Sequence, residues 1–204
     1  MYQGPASLFF PEGMWQTQAV GGAASANVEL LSLGCCCIDR DFDVREELLI
    51  WCRQNGYDIT DERLFCCMNL KDPAYEAWDV RHCTGHNWKI FKAVWTHQSM
   101  PLLVTQVLRS YREHTRTCTA GESYKAAFYC YMGDHESVAA IVGLRTMFLA
   151  NYTDIKVQVR HRNGANGEWW RKCGTRCEWC YNYHSRREYE LDLIEPILQK
   201  ITLD

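Results

Sequence analysis

Two compact apolar runs in this chain are each followed by a segment of helical period. Val28-Glu29-Leu30-Leu31-Ser32-Leu33 ends at Gly34, and Lys125-Ala126-Ala127-Phe128-Tyr129-Cys130 ends at a turn around Met132-Gly133-Asp134. A strand that hands on to a helix calls for a crossover, so this alternation predicts an α/β fold: a largely parallel sheet flanked by helices. In such sheets ligands collect at the carboxyl ends of the strands, and the Cys130–Ser137 turn stands at one of those ends.

The rest of the chain fits that frame. Asp43 with Glu46 three residues later signs the start of a helix that runs to Cys52 and closes near Gly56. Arg63 to Met68 is a third apolar segment, broken by Asp72-Pro73. Ile90, Phe91 and Val94, then Leu102, Leu103, Val107, Leu108 and Tyr111, keep helical spacing across Pro101, which predicts two helices. Ser137 to Ala150 is a further helix and Ile155 to Val159 a final strand. A last amphipathic helix spans Glu188 to Ile201, with Leu191, Leu193, Ile194, Ile197 and Leu198 inward. The organisation expected is an N-terminal arm over 1–27, an α/β domain over 28–163 and a Cys/Trp-rich extension over 164–204.

A formal net charge of −3 gives no global sign of nucleic-acid binding, so any RNA contact has to be local. No apolar run is long enough to span a membrane, and the first residues lack the charged-then-apolar pattern of a secretory signal, so the expected setting is an intracellular, reducing compartment, cytoplasmic or organellar. There the twelve cysteines do not form a disulfide framework. Cys35-Cys36-Cys37 and Cys66-Cys67 read as small hydrophobes within apolar segments, and the first nine cysteines as mostly inert buried thiols.

The stretch FYCYMGDHESVAA sets a cysteine at a strand end, a glycine in the turn and Ser137 near a helix start. Backbone N–H groups and the positive end of a helix meet there, which is the geometry of an anion cradle.

Three segments carry a resemblance. Cys130, Gly133, His135, Ser137 and Val138 match GCTGGxHRSV; Pro73, Arg81, Thr84 and Gly85 match NPxxxxELRxxTG with one residue inserted; Val157, Arg160, His161 and Arg162 match VxxRHR. In this order they resemble the C-terminal domain of the RapZ family of RNase adapter proteins. The resemblance implies an anion site built from all three segments, with Arg81, Thr84, Gly85, Cys130, Gly133, His135, Ser137, His161 and Arg162 as its ligand-binding residues. It also implies a non-enzymatic adapter that contacts RNA or a phosphorylated small molecule. The P-loop motif of that family's other domain does not occur in these 204 residues.

The departures from the pattern weigh against phosphate. Asp134 and Glu136 stand where the family has basic residues, and Cys66 and Met68 replace an aspartate and an arginine. Carboxylates at the cradle repel a phosphate. Glu136 also stands where a cysteine phosphatase has its arginine, which leaves a Cys130 thiolate without a stabilising cation. His135 reads equally as a ligand contact or as a satisfied loop histidine. Arg81, His161 and Arg162 either converge on the pocket to restore positive charge, or the two arginines pair with Asp134 and Glu136 and neutralise it.

Cys173, Cys177, Cys180 and His184 form a Cys₃His set with the close spacing of a structural zinc knuckle. An unmetallated cluster is the main alternative. An iron–sulfur site of the radical-SAM type has the same spacing but no barrel to follow it. Trp169, Trp170 and Trp179, interleaved with Arg171, Arg176, Arg186 and Arg187, suit stacking on unpaired bases, or else close a small core. Eight tryptophans and the long arm equally suit a structural accessory subunit with protein partners and a decayed ligand site.

Overall fold

A computed structural model describes residues 26–39, 41–71, 80, 82–119, 121–162 and 186–201. Strand β1, Ala26–Gly34, begins two residues inside the segment read as an arm. It leads to α1, Val44–Gln54, where the Asp43 carboxylate accepts from the Arg45 amide at 2.8 Å and the Glu46 amide at 3.4 Å. A short 3-10 turn precedes β2, Leu64–Cys66. Helices α2, Trp88–Trp95, and α3, Met100–Thr117, follow. Pro101 does not interrupt a helix but sits in the first turn of α3, where no intrahelical N–H is needed. Then come β3, Tyr124–Cys130; α4, Glu136–Asn151; β4, Ile155–His161; and α5, Arg187–Leu198.

The four strands form one parallel sheet in the order β2-β3-β1-β4. From β1 the chain moves one way along the sheet to β2, and from β2 and β3 it moves back the other way. Right-handed connections then require α1 on one face and α2, α3 and α4 on the other. The packing follows that division. Leu48 and Cys52 of α1 cover Leu31, Leu33, Leu64, Ala127 and Tyr129. The other helices cover Val28, Leu30, Phe65, Ala126, Phe128 and Cys130.

Helix α4 is buried on nearly every side, which accounts for its lack of a polar face. Trp95 of α2 reaches it where Gly143 presents no side chain, and its indole N–H donates to the Ala139 carbonyl at 2.9 Å. Helix α5 closes the same layer through Ile194, Ile197 and Leu198.

The reading of the early cysteines needs correction. Cys35, Cys52, Cys67, Cys83 and Cys130 are buried, but Cys36 and Cys37 are exposed and Cys66 and Cys118 are half-buried. The apolar run ends at the buried Cys35, and the next two residues turn outward at the strand's end.

Candidate functional site

The turn after β3 is shaped by Gly133, whose φ of 74° lies where residues with a Cβ are strained. It folds the chain back so that the Gly133 amide donates to Cys130 Sγ at 3.2 Å, and the same sulfur lies 3.2 Å from Ser137 Oγ. Cys130, Gly133 and Ser137 thus meet at the start of α4.

Thr84 and Gly85 reach the same place from the loop ahead of α2. The Gly85 amide donates to the Asp134 carbonyl at 2.8 Å, and Gly85 packs directly on the His135–Ala139 backbone. His135 Nε2 donates to the Cys83 carbonyl at 2.9 Å, so this histidine ties the two loops together. A carbonyl only accepts, which fixes a proton on Nε2.

His161 arrives from β4. Its Nδ1 lies 2.7 Å from Ser32 Oγ, and its ring meets His86 edge-on at 5.2 Å between centroids. His86 Nδ1 in turn lies 3.1 Å from Thr84 Oγ1. Burial drives the His161 pKa down to about 4, so the ring is neutral at physiological pH. Ser32, His86 and Asn87 belong to this buried polar cluster and were not nominated from sequence.

Arg162 takes another direction. Its amide donates to the Ser32 carbonyl at 3.0 Å, but its guanidinium lies 4.1 Å over the Trp51 ring of α1, on the opposite face from α4. Arg81, the other cation expected to converge, lies outside the described residues, as do Pro73 and the zinc candidates Cys173, Cys177, Cys180 and His184. Among the described residues, no three His, Cys, Asp or Glu side chains are arranged to hold a metal ion.

The electrostatics of the cradle are acidic. Asp134 and Glu136 are buried, with 5% and 8% of their surface exposed, at the positive end of α4. Burial and then the Glu136 carboxylate push the Cys130 thiol up to about 12, against the opposing Ser137 hydrogen bonds. A fully buried thiol held in its protonated form has neither the access nor the charge of a nucleophile.

Arg186, read as one of several RNA-facing arginines, is buried instead. It pairs with Glu190 at 3.1 Å, and its guanidinium lies 5.5 Å over Trp88 and 5.4 Å over Phe91. Glu190 also accepts from Thr146 Oγ1 at 2.6 Å, so the pair fastens α5 to α4. Arg187 is exposed and donates to the Leu149 carbonyl at 3.0 Å. A groove of about 770 Å³ between β2 and α3, lined in part by Arg45, Phe65, Leu103 and Arg109, contains none of the nominated residues.

No protein-family model matches the chain, and no curated protein matches it. Among the described residues, no helix is long and apolar enough to cross a membrane.

Proposed function

We propose that this chain is a non-enzymatic binding module of the RapZ C-terminal type, an adapter whose ligand is RNA or a phosphorylated small molecule. The observation that carries the reading is the meeting of three sequence motifs at one end of the sheet. Thr84-Gly85-His86, Cys130–Ser137 and His161 are far apart in the chain, yet the Gly85 amide bonds the Asp134 carbonyl and the His161 ring meets that of His86. The protonated, buried state of Cys130 supports binding over catalysis. A cation for the phosphate comes from Arg81 in this reading, while Arg162 rests on Trp51 on the other face of the sheet. The Cys173–His184 cluster supplies a structural zinc to the tail in this reading.

One observation favours a second reading. The buried carboxylates Asp134 and Glu136 occupy the positive helix end where a phosphate would otherwise sit. A cradle filled by its own anions fits a structural accessory subunit whose ligand site has decayed, with a protein partner in place of RNA.

Titration of the full chain with a short hairpin RNA at two salt concentrations separates the two. An adapter binds with an affinity that falls steeply with salt and falls again in Arg81→Ala. Absent or salt-insensitive binding, together with a protein that co-purifies stoichiometrically, supports the accessory subunit.

A further inference from the structure

Strand β2 is an outer strand of the sheet, with β3 on one side only. The Cys67 amide donates to the Tyr129 carbonyl at 2.7 Å, so Phe65, two residues earlier, also turns its N–H and C=O toward β3. Leu64 and Cys66 alternate with them and turn theirs the other way. The Leu64 amide is taken up by the Asp61 carbonyl. The Leu64 carbonyl and the Cys66 amide and carbonyl have no backbone partner among the described residues.

The groove of about 770 Å³ runs along this edge, and its lining comes from both faces of the sheet. Leu64 and Cys66 belong to the α1 face, from which Arg45 closes one wall. Phe65 belongs to the other face, where Leu102, Leu103 and Gln106 of α3 form the second wall. The groove is therefore a slot in the plane of the sheet, in the place of a fifth strand.

The two ends of the slot differ in chemistry. Tyr124 Oη, at the start of β3, donates to Ser110 Oγ at 3.2 Å, which sets the later turns of α3 beside the amino ends of the strands. Glu113 lines the slot there, with Asp61 and Glu62 just ahead of β2, and Arg45 is already paired with Asp61 at 2.9 Å. Arg109 stands one turn before Glu113. The first turn of α3 lies at the opposite end, where Ser99 and Leu102 line the slot with Asn69 and Leu70. Leu102 is 63% exposed and Met68, just past β2, is 44% exposed. One end is acidic and the other apolar.

We propose that this slot binds an extended peptide segment of another protein, which joins the sheet beside β2. A basic side chain of the peptide meets the Asp61, Glu62 and Glu113 end, and an apolar one meets Leu102 and Leu70. Main-chain hydrogen bonds to the Leu64 carbonyl and to Cys66 give affinity, and side chains directed alternately at α1 and α3 give specificity. A second folded copy of this chain fits less well, because its own β2 lies in the same recess and two recessed edges do not meet. The slot contains none of the cradle residues, so loss of RNA binding in Arg81→Ala leaves this proposal standing.

The test is panning of a random heptapeptide library against the full chain, followed by fluorescence anisotropy with a synthetic copy of the strongest binder. Selected peptides are expected to alternate polar and apolar residues and to carry Lys or Arg near one end. Leu102→Asp, at an exposed position that leaves the core intact, is expected to weaken binding by at least about 10-fold, as loss of an interface anchor does. Two further copies of the peptide carry N-methyl groups on alternate amides, one copy for each register. An added strand turns only every second N–H toward β2, so one copy is expected to lose binding and the other to keep it. No selected peptide, an affinity unchanged in Leu102→Asp, or an equal effect of the two methylation patterns overturns the proposal. Self-association of the chain that Leu102→Asp abolishes also overturns it, in favour of pairing between copies.

Discussion

Gly85 donates its amide to the Asp134 carbonyl at 2.8 Å, and no other residue fits at that contact. A Cβ at position 85 would run into the His135 carbonyl and the Ala139 amide, both parts of the α4 backbone rather than yielding side chains. Gly85→Ala is therefore expected to destabilise the protein by about 1–3 kcal/mol, the usual cost of overpacking. Urea unfolding measures this, and an unchanged midpoint would mean that the loop lifts away from α4 without cost.

The half-buried His161 makes stability sensitive to acid. Its folded-state pKa of about 4 lies below the ordinary 6.5, so the unfolded chain takes up a proton that the folded chain refuses. Above pH 6.5 both states are neutral and nothing changes. As pH falls from about 6.5 to about 4, up to about 3 kcal/mol of stability is lost. His114, whose pKa is also lowered by burial, acts in the same direction, so the wild-type profile has to be compared with that of His161→Gln. A shallower slope in the variant is the expected result.

Thiol reactivity should divide by position. With its pKa near 12, Cys130 is a thiolate in about one molecule in ten thousand at pH 8, whereas Cys36 and Cys37 are open to solvent. Brief iodoacetamide treatment of the native, metal-free protein is expected to label Cys36 and Cys37 and leave Cys130 untouched. Early labelling of Cys130 would show that the α4 cradle opens.

The ion pair between Arg186 and Glu190 is enclosed by aromatic rings and a threonine hydroxyl. Arg186→Ala strands a buried carboxylate and is expected to cost about 3–5 kcal/mol. Arg186→Met combined with Glu190→Met removes both charges and is expected to recover most of that loss. Thermal unfolding of the wild type and the two variants checks the order.

The zinc expected in the tail is tested by metal analysis of protein purified under reducing conditions. About one zinc per chain agrees with the Cys₃His set of Cys173, Cys177, Cys180 and His184. A content near zero removes it.

The strands and helices were legible because their signals are local: the Asp43 cap, the apolar run ending at Gly34, the glycine turn at Gly133. The candidate site was only partly legible. His161 and Arg162 were expected to converge, yet successive residues at a strand end point to opposite faces, and that period of two was available in the sequence. Ser32 had a signal as well, as a hydroxyl within an apolar strand. His86 had none, because its neighbour is a histidine in a distant segment, and the chain's spacing carries no trace of a contact that only the sheet order creates. Cys36 and Cys37 were misread for a related reason: an apolar run does not announce the residue at which it turns outward.

The sheet order also governs when this protein can fold. Val28 lies beside Tyr124 and Gly34 beside Cys130, so the central strand pair cannot form until β3 has been synthesised. Pairing of this kind raises contact order and slows folding. A ribosome translating this chain holds β1, with its two leucine-lined faces, without its β3 partner while the 89 residues between Gly34 and Tyr124 are made, which makes the nascent chain a natural client for chaperones that shield apolar segments.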